Sequence, residues 1–399
     1  MIVTGIAVFG FSLFGIHQIS EQIQQAESDY QMSAHMKLGN APRPVEGWAE
    51  YMAEYDYIAF SPSAWNNENM QEPKKEIQRL NLDCMLGTYI HAHTVSQWNK
   101  VAYERGQTGI NADWWEFLSP LLAITTEQDT AAIFKANYVF DIFNPEARAR
   151  AISIVDKYVI KNQLDWIMLD FVSVPLPNLK AHQNPKYEKM EHGDLDFNRD
   201  GIGHWDDPAE RQELREVWDL YIDEMLAVYP NQLKLIPNGA LAIKDPAFAK
   251  KVHGCYIEGF PQWFFGDSPW KNAFDPDYPN SLWKLTEKDR WLGGKGIVML
   301  EDRYYRGTFG YIAKIFDGVV EMRREMGDDL FTDPGYVSLP IELDTGAPLG
   351  PPQFIGSDII RKFVNGDITI HNADSNHPTY SYVITKEETP GKPETPKIK

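Results

Sequence analysis

The feature that most limits the fold is a series of short apolar runs separated by amphipathic stretches long enough to be helices. The runs fall at Tyr57–Ser61, Cys84–Ile90, Trp166–Val172, Leu233–Pro237, Cys255–Gly259, Ile297–Leu300 and Val337–Ile341. Short, continuous apolar text of this kind is what strands buried on both faces of a parallel sheet look like. Between the runs, 145–161 carries apolar residues at Ala149, Ile152, Val155 and Val159, with Asn144 placed to cap a helix and Pro145 in its first turn. The stretch 208–229 repeats the pattern with Leu214, Val217, Leu220, Tyr221 and Met225. Strands alternating with helices of this length predict parallel βα units, which close here as an α/β fold of the (β/α)8 or TIM-barrel type.

Seven runs leave one strand to find. The apolar stretch 2–16 has no Lys or Arg ahead of it and no small-residue cleavage pattern after it, and it is shorter than a membrane span. We read it as the opening strand, with a targeting segment as the alternative. Residues 1–345 then form the barrel, with an insertion near 194–207. A Gly- and Pro-rich joint follows, and residues 346–386 read as a small C-terminal β appendage that includes KFVNGDITIHN, an Asn-Gly turn signal between strand-like text. Residues 387–399 are polar and Pro-rich, the composition of a disordered tail.

Charge narrows the partners. A formal net charge of −19 gives no basic footprint, so nucleic acid and anionic membrane surfaces are not expected, and no membrane insertion is expected either. No Gly-rich phosphate fingerprint follows a strand, and no organic cofactor is expected. The two cysteines, Cys84 and Cys255, sit inside apolar runs and read as buried thiols. The 12 Trp and 19 Tyr suit a ligand with flat apolar faces, such as a sugar. Trp65, Trp114, Trp115, Trp263 and Trp270 are the candidate stacking residues.

Barrel enzymes carry their chemistry where strands end at the carboxyl side. The polar residues closing the runs are His91 and His93, Asp170, Asn238, Glu258, and Glu301 with Asp302. Two carboxyl groups of unlike environment can cleave a glycosidic bond, one as proton donor and one as nucleophile or base. Glu258 precedes an apolar stretch and suits the donor; Asp170 suits the nucleophile or base; Glu301 and Asp302 compete for either part. His91 and His93, two apart, suit sugar hydroxyls better than a metal, for which no third ligand is evident. A separate motif, Asp196-Phe-Asn198-Arg-Asp200-Gly-Ile202 ending at Asp207, places oxygen donors at positions one, three, five, seven and twelve of a Ca²⁺ loop, with Gly201 at six. Such a Ca²⁺ ion would be structural.

The segment YVFDIFNPEARARAISIVDKYVIKNQLDWIMLDFV resembles one in the endo-α-1,4-polygalactosaminidase family and related glycosyl-hydrolase barrels, as do CYIEGF and the closing IIRKFVNGDITIHNADSN. The resemblance runs from Tyr55 to about Ile384. It implies a polysaccharide or oligosaccharide substrate, Asp170 on strand four and Glu258 on strand six as the catalytic pair, and Asp141 in a substrate-side loop. A secreted or cell-surface setting follows from that substrate class. Two other readings stay open: a catalytically inactive glycan-binding barrel, and a metal-dependent hydrolase using His91 and His93.

Overall fold

The computed structural model describes residues 32–38, 44, 46–133, 137–176, 194–229, 232–301, 309–326 and 345–384. Eight parallel strands form one sheet: β1 (Met32–Leu38), β2 (Tyr57–Phe60), β3 (Met85–His91), β4 (Trp166–Asp170), β5 (Lys234–Pro237), β6 (Gly254–Ile257), β7 (Ile297–Glu301) and β8 (Val319–Met326). Each pairs with its neighbour in chain order, and β8 returns to β1 with Met32 opposite Val320. The remaining seam, between β5 and β6, is drawn together by the parallel bridge Asn238↔Tyr256 and the His253 N–H donating to the Leu235 carbonyl at 2.9 Å. The result is a nearly closed (β/α)8 barrel.

Two strand assignments change. The opening place belongs to Met32–Leu38, while the stretch 2–16 lies outside the described residues. The closing place belongs to Val319–Met326, and the run 337–341 also lies outside them. Both observed strands carry polar residues among the apolar ones, so neither reads as a continuous apolar run.

Strand alternation divides the core in two. Residues of one parity, including Met36, Ala59, Trp166, Met168, Ile236, Tyr256 and Met299, fill the barrel interior. Those of the other parity, including Ile58, Leu86, Ile167, Leu235, Cys255 and Val298, pack beneath the helices. Cys84 and Cys255 are free, buried thiols. The helix Pro145–Tyr158 starts as expected, with the Asn144 side chain accepting from the Glu146 N–H at 2.9 Å. Its buried Arg148 reaches the helix Pro208–Val228 through a bidentate pair with Glu224, at 2.7 and 3.0 Å. No helix among the described residues is long and apolar enough to cross a membrane.

After the barrel comes an antiparallel four-stranded sheet: β9 (Gln353–Ile355), β10 (Asp358–Phe363), β11 (Gly366–His371) and β12 (Thr379–Ile384). Phe363 pairs with Gly366, so the tight turn is Val364-Asn365 rather than the expected Asn-Gly. Gly366 is a strand residue, and a Cβ there would meet the Val383 carbonyl oxygen at 2.2 Å. The sheet is fastened to the barrel by buried Arg361. Its guanidinium donates to the carbonyls of Lys314 and Ile315 and to both carboxylate oxygens of Asp317. Arg361→Ala removes these bonds together and is expected to cost about 2 kcal/mol of docking. Limited proteolysis should then cut within 345–384 while the barrel still resists.

Candidate active site

Residues of the interior parity at the carboxyl end of the barrel point along its axis. Tyr89 and His91 continue the inward set of β3, Asp170 that of β4, Glu301 that of β7; Asn238 and Glu258 extend those of β5 and β6 by one step. The chain then turns away sharply. Phe171, Gly239 and Gly259, which follow Asp170, Asn238 and Glu258, have φ of 63, 142 and 61°. Each turn leaves its polar side chain at the barrel mouth. Positive φ is free for glycine but strained for an aromatic residue by about 1 kcal/mol or more, a cost met most often at functional sites. Phe171 is held there by stacking with His91, ring centroids 5.5 Å apart and planes at 16°.

Asp170 is the centre of the cluster. Its Oδ2 accepts the Tyr89 hydroxyl at 2.5 Å, and its Oδ1 accepts the Asn238 amide at 2.7 Å and the Phe171 N–H at 3.0 Å. His91 Nδ1 lies 3.8 Å from Oδ2. The same Asn238 amide nitrogen also donates to Glu258 Oε2 at 3.2 Å. The two facing carboxylate oxygens are therefore less than about 6 Å apart, within reach of one sugar centre. Burial pushes the Asp170 carboxyl above its ordinary value; His91 and the Tyr89 hydroxyl oppose this, and Glu258 adds to it. Glu258 is half-buried, whereas Glu301 is buried and its Oε2 accepts the Gly259 N–H at 3.0 Å, bracing the turn beside Glu258.

The structure sorts the other candidates. Trp263 is 57% exposed and its indole lies against Gly259, 3.0 Å from where a Cβ would be, so it is a free ring beside Glu258. Trp65, Trp114 and Trp270 are core residues and not stacking platforms. Trp65 is packed on Phe60 with its N–H bonded to the Gly87 carbonyl, Trp114 is bonded to the Thr94 carbonyl, and Trp270 is enclosed by Phe260, Phe274 and Phe309. Trp115 is partly buried beside Tyr138 and Lys100.

The paired histidines do not act as a pair. β3 ends at His91, and His93 turns into the core with its ring edge-on to Phe171 and Trp218. It is fully buried, both ring nitrogens lack partners, and burial with the nearby His91 and His204 holds its pKa down to about 3. A neutral, enclosed His93 cannot bond a substrate hydroxyl. Among the described residues no three His, Cys, Asp or Glu side chains converge as a ready-made metal centre.

Asp141 caps the turn 141–144, accepting the Phe143 N–H at 3.0 Å. Asp302 lies outside the described residues. Tyr89 was not foreseen from the sequence. Its position two residues before His91, on the inward parity of the same strand, is the signal that could have found it.

By sequence the chain matches no protein-family model and no curated protein. In structure it is similar to several glycoside hydrolases. One is a GH36 alpha-galactosidase AgaA of Geobacillus stearothermophilus, in complex with raffinose, at 10% identity and TM-score 0.46 over 86% of this chain and 47% of that one. Another is a noncanonic maltogenic alpha-amylase AmyB of Thermotoga neapolitana, at 10% identity and TM-score 0.44 over 84% of each chain. A third is a GH31 family sulfoquinovosidase of E. rectale, at 14% identity and TM-score 0.40 over 76% of this chain and 44% of that one. The chain thus spans about half the length of the alpha-galactosidases it is similar to.

Proposed function

We propose that the protein is a glycoside hydrolase that cleaves an O-glycosidic bond in a polysaccharide or oligosaccharide, with Asp170 as nucleophile and Glu258 as acid and base. The observation that carries this reading is the single Asn238 amide bonded to both carboxylates at the barrel mouth. Every hydrogen bond drawn to Asp170 can come from a donor, so its surroundings suit an ionised carboxylate, while burial leaves that charge poorly solvated and reactive. Glu258, half-buried at the opening, can give a proton to the leaving oxygen and recover one from water. Facing oxygens less than about 6 Å apart are compatible with the close pair of a retaining enzyme, about 5–5.5 Å. Trp263 offers an apolar face for a sugar ring next to the acid.

The nucleophile must be ionised, and its proton is held more tightly than that of an ordinary aspartate. Activity is therefore expected to fall as pH drops through a value above the usual Asp range of about 3.9. A kcat/KM profile from pH 3 to 8 checks this, and an acid limb at or below the ordinary value would contradict it. Proton NMR of the first product formed tests the pair itself: retained anomeric configuration is expected, and inversion would overturn the assignment of Asp170 as nucleophile. The substrate panel should include galactosamine polymers, the class implied by the sequence resemblance. A net charge of −19 is compatible with a cationic amino-sugar chain.

A further inference from the structure

Among the described residues, acidic side chains also gather in the loop 194–207 and the first turn of the helix that follows, although no three of them converge as a ready-made metal centre. Asp196 is fully buried, and its two oxygens accept the N–H groups of Asp200 and Gly201 at 3.1 and 3.0 Å. Asn198 Oδ1 also accepts the Asp200 N–H, at 3.0 Å, and its amide nitrogen lies 3.3 Å from Asp200 Oδ2 and 3.4 Å from Asp207 Oδ2. The loop is thus wound around its own acidic side chains, and Gly201, with φ of 85°, makes the bend that the sixth position of a Ca²⁺ loop requires. Asp207 does not have both oxygens to give, because Oδ1 caps the helix on the Ala209 N–H at 2.8 Å.

Glu210 completes the picture, and the loop motif does not include it. It sits one turn into the helix and is fully buried. Its Oε1 accepts the Phe197 N–H at 2.9 Å, while Oε2 has no hydrogen-bond partner. A buried carboxylate oxygen left without a partner beside other acidic side chains is costly, and a bound cation would offset that cost.

We propose that this loop binds Ca²⁺ through Asp196, Asn198, Asp200, the Ile202 carbonyl and Asp207 Oδ2, with Glu210 Oε2 as the buried ligand supplied by the helix. An all-oxygen set of about six donors on a pliable loop suits Ca²⁺ and is a poor match for zinc, which favours nitrogen and sulfur, or for the rigid octahedron of Mg²⁺. The ion would be a brace. The loop joins two parts of the wall around the barrel mouth: Leu195 bridges Thr125, and Phe197 stacks on Phe143 at 4.8 Å. The Trp205 indole also donates to the Leu176 carbonyl at 2.6 Å.

Calorimetric titration of the full chain, stripped with EDTA, with CaCl₂ and separately with MgCl₂ tests this. One Ca²⁺ per chain is expected, with Kd between about 10⁻⁶ and 10⁻³ M, Mg²⁺ at least tenfold weaker, and a Tm that rises with Ca²⁺ concentration. Asp200 is exposed, so Asp200→Asn should fold normally and weaken Ca²⁺ at least tenfold; Glu210→Gln should do the same. No binding up to about 10 mM, or wild-type affinity in Asp200→Asn, overturns the site. Unchanged affinity in Glu210→Gln alongside a weakened Asp200→Asn overturns the part given to Glu210. Should Glu210→Gln fail to fold, Glu210→Asp, which withdraws the carboxylate by one methylene, is expected to weaken Ca²⁺ at least tenfold, and wild-type affinity there overturns the same part.

Discussion

Asp170→Asn is expected to lower kcat/KM by about 10⁴-fold or more without loosening the fold, because it removes the attacking oxygen and little else. An asparagine can keep all three bonds. Its Oδ1 accepts from Asn238 and Phe171, and its amide donates to the Tyr89 hydroxyl, which changes from donor to acceptor. The linkage sign points towards a more heat-stable variant. Burial raises the folded-state pKa of Asp170, so the folded protein holds that proton more tightly than the unfolded chain does. Stability from this group is complete below the unfolded value and is lost as pH rises through the folded value, leaving a buried charge as a standing penalty at pH 7. Asparagine carries no such charge. Thermal melts should therefore show the variant's Tm at or above that of the wild type at pH 7, with the gap closing below about pH 3.9. Removal of the acid with Glu258→Gln should also inactivate the enzyme on natural glycans, but spare substrates whose leaving group needs no proton.

The second large effect concerns the interior. Gly87 lies on β3 opposite Trp166 of β4, and a Cβ at position 87 would stand 2.2 Å from the buried indole. Trp166 has nowhere to go. It fills the barrel beside Tyr57, edge to face at 6.1 Å, and its N–H is bonded to the Met85 carbonyl at 3.1 Å. Gly87→Ala is therefore expected to cost about 3 kcal/mol, the upper part of the range for overpacking a dense core. Urea melts of the wild type and the variant check this. A cost near zero would mean that the indole can shift, and that the interior is looser than its full burial implies.

The barrel was legible where the sequence is uniformly apolar. Six of the runs coincide with β2 to β7, because those strands are covered on both faces and carry little besides apolar side chains until their ends. β1 and β8 were missed for a physical reason. MSAHMKL and VVEMRREM turn Ala34, Met36, Val320 and Met322 to the interior and place polar residues next to them, among them the buried Ser33 and Glu321. A search for unbroken apolar text passes over such strands and stops at 2–16 and 337–341 instead.

The candidate site was legible as strand-end polar residues, and Asp170, Asn238 and Glu258 were named because each closes an apolar run. Which of them meet was not legible. That depends on barrel closure bringing β4, β5 and β6 side by side, and on the turns at Phe171, Gly239 and Gly259. The tryptophans show the opposite limit. Composition cannot separate an indole that stacks on a ligand from one that packs in the core, and Trp65, Trp114 and Trp270 are core, whereas Trp263 is not. The Ca²⁺-loop spacing was legible, but Glu210 lies three residues past its last position and comes near only because the helix begins at Pro208.

Reducing-end release from a panel of polysaccharides, galactosamine polymers among them, measured in parallel for the wild type, Asp170→Asn and Glu258→Gln, tests whether these two carboxylates cleave a glycan. The wild type is expected to cleave at least one glycan, and neither variant to cleave any above background. Equal cleavage by all three proteins would remove the catalytic part from this pair. Tight glycan binding with no cleavage by any of them would make the barrel a binding protein instead of an enzyme.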